Sequence, residues 1–444
     1  MTGLFNNLEK QWQFCKWSPL YNLKRTFYLG FGLLLLWIVG CNFPGGQNRD
    51  IPQIQLTIQN TLPVKRVNVP IVLSLTELRQ VASDFSFDAY LVVSGQPPAQ
   101  IEIPSQADDT NYDGQKDELA FLVDLAPQET KSVTIRYAPD NQMAVTLGFT
   151  RQTRAGVFPE LEGFAALESE WIAYLLHSNG SIDAYGKKTK GLFLDRFVHQ
   201  LTTPSDSNEE ILTPLFIKKE TSGGSGYGLW DMEAQTLIPF ENQRDYVRIL
   251  ADGPVRSVVQ RIIPNWVLSS NREISFISTF SIYAGHQWSE HRINAQGLGD
   301  GYRIAIHLPN RRITSVSNEK DGWIWSWETA TQANHEMGFG VTYPVDGFDT
   351  FLDSEAGNTI LLMKLDQYDE VFYRFASALE GEEAEIGTPE AEEVTIATQE
   401  VEEAEIGTQE AFEQYVQAAA TEIQTPPVIR LTPQESQEQE ESQQ

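Results

Sequence analysis

The stretch Glu168–Lys188, ESEWIAYLLHSNGSIDAYGKK, decides how the chain is read. Trp171 to Leu176 is apolar and rich in strand-forming residues, Asn179-Gly180 is the two-residue signal of a tight hairpin, and Ser181 to Tyr185 leads back. The stretch therefore reads as strand, turn, strand. It also sets Glu168, Glu170, His177, Lys187 and Lys188 beside Trp171, Tyr174 and Tyr185. So many polar groups among aromatics predict a hairpin that lines a groove rather than one that fills a core.

The same character extends outward. From Met143 to about Ala378 the chain is a succession of strand-like segments, including LFLDRFVHQL (Leu192–Leu201) and WIWSWETA (Trp323–Ala330). Ile274, Phe276, Ser278, Phe280 and Ile282 share the period-two face of an antiparallel strand. Shorter strands with frequent turns fill Ile51 to Asp140. Helical periodicity is confined to Phe412–Ile423, and Pro427–Leu431 follows it as a strand. The reading is all-β: a small β-sandwich domain (51–140), a large antiparallel β-supersandwich (141–380) and one C-terminal helix. Residues 412–432 then supply that helix and the closing strand of the supersandwich. Between them lie three ten-residue copies, EEAEIGTPEA, EEVTIATQEV and EEAEIGTQEA, which make 381–411 an acidic insertion without the apolar periodicity of a core. Residues 433–444 are a Gln/Glu/Ser tail.

The 444 residues allow two or three domains with sizeable cores. With 32 Lys and Arg against 61 Asp and Glu, the formal charge is −29, and no basic face offers itself to nucleic acid. Two cysteines are present, Cys15 and Cys41, and both precede the globular part, which can form no disulfide of its own.

Lys24 and Arg25 precede the apolar run Phe27–Val39, which ends at Gly40-Cys41. This is the layout of a secretory signal, and the run falls short of the roughly 20 apolar residues of a spanning helix. Ile38-Val39-Gly40-Cys41 resembles the bacterial lipobox, which implies a signal peptide over 1–40, lipidation of Cys41 and a membrane partner through that anchor. The expected location is the cell envelope, on its periplasmic or extracellular face. The alternative is a signal anchor left uncut. Residues 41–50 are a Pro/Gly linker holding the body off the membrane.

Asp109, Asn111, Asp113, Gly114, Gln115 and Asp117 follow the pattern D-x-N-x-D-G-x-x-D. Oxygen ligands at alternate positions wrap one hard cation, Gly114 permits the sharp turn, and the Gln115 carbonyl supplies a further oxygen. The twelfth position is Ala120 rather than the bidentate Glu of an EF-hand, and strands flank the loop, so a structural calcium that braces a hairpin is the expectation. An acidic, solvated turn is the alternative.

Four segments carry a resemblance to a family. Ile103–Leu125 (IPSQADDTNYDGQKDELAFLVDL), Glu168–Lys188, LFLDRF and DGPVRSVVQ together resemble the DUF4861 family of bacterial secreted proteins, over most of residues 55–435. The resemblance implies a galactose-mutarotase-type supersandwich behind a small β-domain, and a setting in the breakdown of uronate-rich polysaccharide. It implies no proven reaction.

Elimination on a uronate needs a cation to neutralise the carboxylate, a base for the C5 proton and an acid for the leaving oxygen. Tyr185 beside Lys187 and Lys188 offers a phenol whose pKa the cations would lower. Arg196 and His199 follow on what reads as the next strand, and Glu170 pairs with Glu168 on one face, a geometry open to hydrolysis as well. Asp183–Lys187 and Asp195–Arg196 read equally as plain ion pairs, and Arg256 as a structural cation at a strand end. The odd spacing of His286 and His291 argues against a zinc site. The chain thus reads as a cell-envelope lipoprotein acting on uronate-containing polysaccharide, with a carbohydrate lyase as the candidate activity, or else as a non-catalytic carbohydrate-binding or scaffold protein. Cys41→Ser should move the protein out of the detergent phase on phase partitioning; a variant that still partitions with membranes points to the uncut anchor.

Overall fold

The computed structural model describes residues 51–95, 98–138, 148–161, 163–202, 211–216, 225–238, 240, 243–268, 271–308, 316–329, 336–353, 359–380 and 407–433. The signal and linker segments, the repeats up to residue 406 and the tail from residue 434 lie outside them. No helix among the described residues is long and apolar enough to cross a membrane.

Two antiparallel sandwiches are present. The small one stacks a five-stranded sheet, in which Gln53–Gln59 lies between Thr130–Tyr137 and Val428–Pro433, on the three-stranded sheet of Arg66–Ser74, Ser105–Asp108 and Glu118–Leu125. Alternate residues of these strands, among them Ile54, Leu56, Ile58, Ile71, Phe121 and Ile135, make its core. The large one stacks a ten-stranded sheet on an eight-stranded sheet. The alternation in Glu273–Tyr283 sends Ile274, Phe276, Phe280 and Ile282 into the core between these sheets, as the pattern predicts. The all-β supersandwich class is the observed one.

The terminal helix, Gln409–Gln424, starts inside the third repeat: Thr408 caps it by accepting Ala411 N–H at 3.2 Å. It covers the outer face of the eight-stranded sheet. Trp323, Trp325 and Trp327 alternate toward it, and Phe412 sits 5.8 Å from the Trp327 ring. Gly338 and Gly340 form the seat, since a Cβ on Gly338 would lie 2.6 Å from Phe412 and one on Gly340 2.6 Å from Val416. The strand after the helix does not close the supersandwich as expected. It pairs with Gln53–Gln59, Ile58 opposite Ile429, and so completes the small sandwich. Two further short helices appear, Leu75–Val81 behind a Ser74–Glu77 capping box and Leu194–Thr202.

Gly340→Val should force the helix off its seat. A loss of about 1–3 kcal/mol is expected from overpacking, read as a lower denaturant midpoint; an unchanged midpoint would show that the helix is not tightly seated there.

Candidate functional site

The hairpin forms as the sequence predicts. His177 N–H donates to Ser181 O at 2.9 Å and Gly180 N–H to His177 O at 3.0 Å. Gly180 has φ +90°, and a Cβ there would sit 2.3 Å from the Tyr227 carbonyl. The hairpin does not, however, line a groove along its length. Ile172–Leu176 is buried throughout, inside the ten-stranded sheet, and the Tyr174 hydroxyl donates to Gln287 O at 2.6 Å.

Its charges are mostly spent on architecture. Lys187 is 3% exposed and donates to the Glu168 carboxylate, to Ser169 O at 2.5 Å and to Gly191 O at 2.7 Å, three acceptors for three protons. Glu168, fully buried, also accepts Phe193 N–H at 2.9 Å and Leu194 N–H at 2.8 Å, which caps helix Leu194–Thr202 from a distance. The ion pairs differ from those read in sequence: Asp183 takes His177 Nε2 at 2.7 Å rather than Lys187, and Asp195 takes Arg154 Nε at 3.0 Å rather than Arg196.

Tyr185 packs its ring 5.7 Å from Phe197, against that helix. Burial, followed by the charge of Asp183, pushes its phenol up to about 12, the reverse of the lowered value expected beside two lysines. Arg196 and His199 lie on the helix and not on a strand, exposed on its outer side, while Phe193, Leu194, Phe197 and Val198 face the sheet. The structure therefore does not gather Tyr185, Lys187, Arg196 and His199 around one reacting centre.

Glu170 stands apart. It is 7% exposed, and its two carboxylate oxygens accept Gly285 N–H at 3.0 and 3.1 Å, with its own backbone N–H also directed at the carboxylate. Burial raises its pKa, against the pull of that N–H, Lys190 and Lys187. Glu170 opens on a cleft of about 860 Å³ bounded by the small sandwich, the supersandwich and the terminal helix. Trp171 lines the same cleft with Lys190 Nζ 4.4 Å from its ring centre. The lining holds Lys65, Arg66, Lys131 and Lys190 against Asp124, Glu170 and Glu422, a positive balance in a chain with nearly twice as many acids as bases. Sequence reading missed this cleft because its walls come from segments far apart in the chain; Glu170 was the one candidate that pointed to it.

The walls are locked together. Arg256 Nε donates to Asp108 at 2.8 Å and Nη2 to Glu118 at 2.6 Å, while Gln106 Oε1 accepts Val255 N–H at 3.1 Å and Arg256 N–H at 3.2 Å. Burial opposes the guanidinium charge, but Tyr283, Asp108 and Glu118 outweigh it and hold the pKa above its ordinary value. Arg256 is thus a structural cation at a strand end, as its sequence position predicts. Across the cleft floor, His286 Nε2 donates to Asn68 O at 2.8 Å, and burial drives this imidazole down to about 3. His291 lies elsewhere, wholly buried, with Ser278 Oγ at 2.5 Å and Tyr373 OH at 2.6 Å. Ser278 and His291 would suit a nucleophile and base, yet both sit between the sheets at 0% exposure, out of reach of substrate.

The Asp109–Asp117 loop springs from the strands that hold Arg256. Asp109 accepts Asp113 N–H at 3.1 Å and Gly114 N–H at 2.7 Å, Asn111 accepts Asp113 N–H at 2.9 Å, Asp113 accepts Gln115 N–H at 2.8 Å, and Asp117 accepts Thr110 N–H at 2.9 Å. Each acid is curled inward by a backbone donor and keeps further lone pairs, so the donor set suits a hard cation, although no cluster of three acidic, His or Cys side chains among the described residues is close enough to hold a metal as it stands.

The family described as "Domain of unknown function (DUF4861)" matches residues 58–393, and the chain belongs to it. No curated protein matches. Among solved structures, the chain is similar to a protein in the glycosyl hydrolase family 38 from Enterococcus faecalis, at 11% identity and a TM-score of 0.46, over 86% of this chain and 47% of that one. It is likewise similar to an alpha-mannosidase from Enterococcus faecalis V583, at 11% identity and a TM-score of 0.44, over 86% and 46%. The chain spans about half the length of these proteins.

Proposed function

We propose that the cleft between the two sandwiches binds a stretch of acidic, uronate-containing polysaccharide and that Glu170 moves the proton in a β-elimination there. The observation that carries this reading is a buried carboxyl of raised pKa opening on a cleft whose charge balance is opposite to that of the whole chain. A carboxylate made more basic by burial is the better proton acceptor. Lys65, Arg66, Lys131 and Lys190 supply the positive field that makes the C5 proton of a bound uronate acidic. Glu170 takes that proton, the C5–H electron pair becomes the C4–C5 double bond, the C4–O bond breaks, and the leaving oxygen recovers the proton from Glu170.

The full chain with a uronate polysaccharide should generate unsaturated ends, read by their ultraviolet absorbance. Glu170→Gln should lower turnover by about 10²–10⁴-fold while leaving binding in place. Activity should rise with pH as Glu170 loses its proton, with a midpoint above the ordinary carboxylate range. A raised folded-state pKa gives stability that is present at low pH and lost as pH rises through it, a loss Glu170→Gln should remove. Binding without product supports the second reading, a carbohydrate-binding protein, for which Trp171 in the cleft is the supporting feature. No binding at all removes both.

We also propose that the Asp109–Asp117 loop binds calcium as a structural brace. Calcium should raise the melting temperature relative to chelator, because a ligand specific to the folded state stabilises it. Asp113→Ala should abolish the difference, and identical parental curves would sink the idea. We likewise propose a lipid anchor at Cys41 and a cell-envelope location, on the strength of the Lys24–Cys41 pattern.

A further inference from the structure

Arg66 opens the strand Arg66–Ser74 on the small-sandwich wall of the cleft, and it is 3% exposed. A buried guanidinium is expected to satisfy all its N–H groups. Here only Nη2 does so, donating to Thr425 O at 2.5 Å just past the terminal helix. Among the described residues Nε and Nη1 have no hydrogen-bond partner. The nearest acid is already engaged: Glu422, which also lines the cleft, accepts from Arg374 Nη1 at 3.2 Å, and Arg374 is held in addition by Glu290 at 2.9 Å. Among the described residues Arg66 has no ion pair of its own, though it feels the charge of Glu422.

Its neighbours on the same wall add charge of the same sign. Lys65 is exposed, and Lys131, partly exposed, donates to the Asp124 carbonyl and lies 3.8 Å from Glu129. The one acid of that wall, Asp124, accepts Asn68 N–H at 2.8 Å. Across the cleft stand Glu170, Lys190 and neutral His286. A buried cation with two spare donors, flanked by two lysines in so acidic a chain, is organised to receive an anion. It differs from the other buried cations among the described residues, Lys187, Arg256 and Arg261, each of which has an acid on the spot, although Arg261 too keeps one idle donor at Nη1.

We propose that Arg66 is the specificity-determining residue of the cleft: it receives the carboxylate of one acidic sugar, with Lys65 and Lys131 beside it, while Glu170 faces the ligand from the opposite wall. This rests on the glycan reading above and assigns the acid group of that glycan to a named wall. Both spare donors are buried, and a carboxylate reaches them as the side chains around Arg66 give way. Arginine is suited to the task, since its planar donor set matches a carboxylate in a way a lysine ammonium does not.

The test is equilibrium binding of the full chain to oligogalacturonate, to the same oligosaccharide with its carboxyl groups reduced, and to a sulfated oligosaccharide without carboxylates. The parent should prefer the first over the second by about tenfold or more, a step of roughly 1.4 kcal/mol. Arg66→Lys should lose that preference and leave the weak affinity for the reduced sugar unchanged. Because Arg66 is buried, the surface variants Lys65→Met and Lys131→Met provide a second line: each should weaken the acidic sugar alone, and more at low salt. Three results overturn the proposal: a parent that binds acidic and reduced sugars equally, a folded Arg66→Lys that binds as the parent does, or a preference for the sulfated probe. The first leaves the glycan reading standing; a parent that binds none of the three sugars removes both.

Discussion

The structure depends on one buried cation. Arg256 stands where the supersandwich meets the small sandwich, 4% exposed, and reaches Asp108 and Glu118 on two paired strands. Gln106 closes the arrangement by accepting the backbone N–H groups of Val255 and Arg256 and donating to Asp108 at 2.7 Å. Such a cluster adds little net stability over an apolar contact, because removing these charges from water offsets their attraction. What it contributes is direction. An apolar interface tolerates sliding, whereas breaking one limb here strands a buried charge at a cost of about 3–5 kcal/mol. The small sandwich is thereby held at one angle, and the cleft exists because of that angle.

The remaining polar groups of the interior sort by how completely they are matched. Lys187 and Glu168 are saturated, and their product is a placed helix. Glu170 and Arg66 are under-matched, one an acid with only backbone N–H donors and the other a base with two idle donors, and both line the cleft. An unsatisfied buried group is destabilising by about 1–3 kcal/mol. Among the described buried cations Arg66 alone lacks an acid partner, and it lines the same cleft as Glu170, so the pair is suited to something that enters the cleft.

Local pattern made much of the fold legible. The Asn179-Gly180 turn, the alternation through Ile274–Ile282 and the apolar stripe of Phe412–Ile423 are each specified within a dozen residues, and each appears as read. Leu192–Leu201 was misread because Phe193, Phe197 and Val198 suit a strand by composition; the helix there follows from the capping carboxylate of Glu168, which lies 26 residues before Leu194. The destination of Val428–Pro433 was equally hidden, since its apolar alternation fits either sandwich and only the partner Gln53–Gln59, at the other end of the body, decides. Of the candidate site, Glu170 was visible as a carboxylate beside an aromatic. Arg66 was not, because its significance is a lack of partners, and a lack of partners has no signature in sequence.

The central claim is that Arg256 couples the two sandwiches and so maintains the cleft. The direct measurement is amide hydrogen exchange on the full chain, compared between the parent and Arg256→Met. In the parent, Gln53–Tyr137 and the supersandwich strands should exchange as one cooperative unit. In the variant, the small sandwich and the cleft segments at Lys65–Asn68 and Gly285–Gln287 should lose protection by at least tenfold while the strands Glu273–Tyr283 and Trp288–Gln296 keep theirs, corresponding to more than about 1.4 kcal/mol of lost coupling. Equal protection in the parent and the variant across the small sandwich would contradict the account.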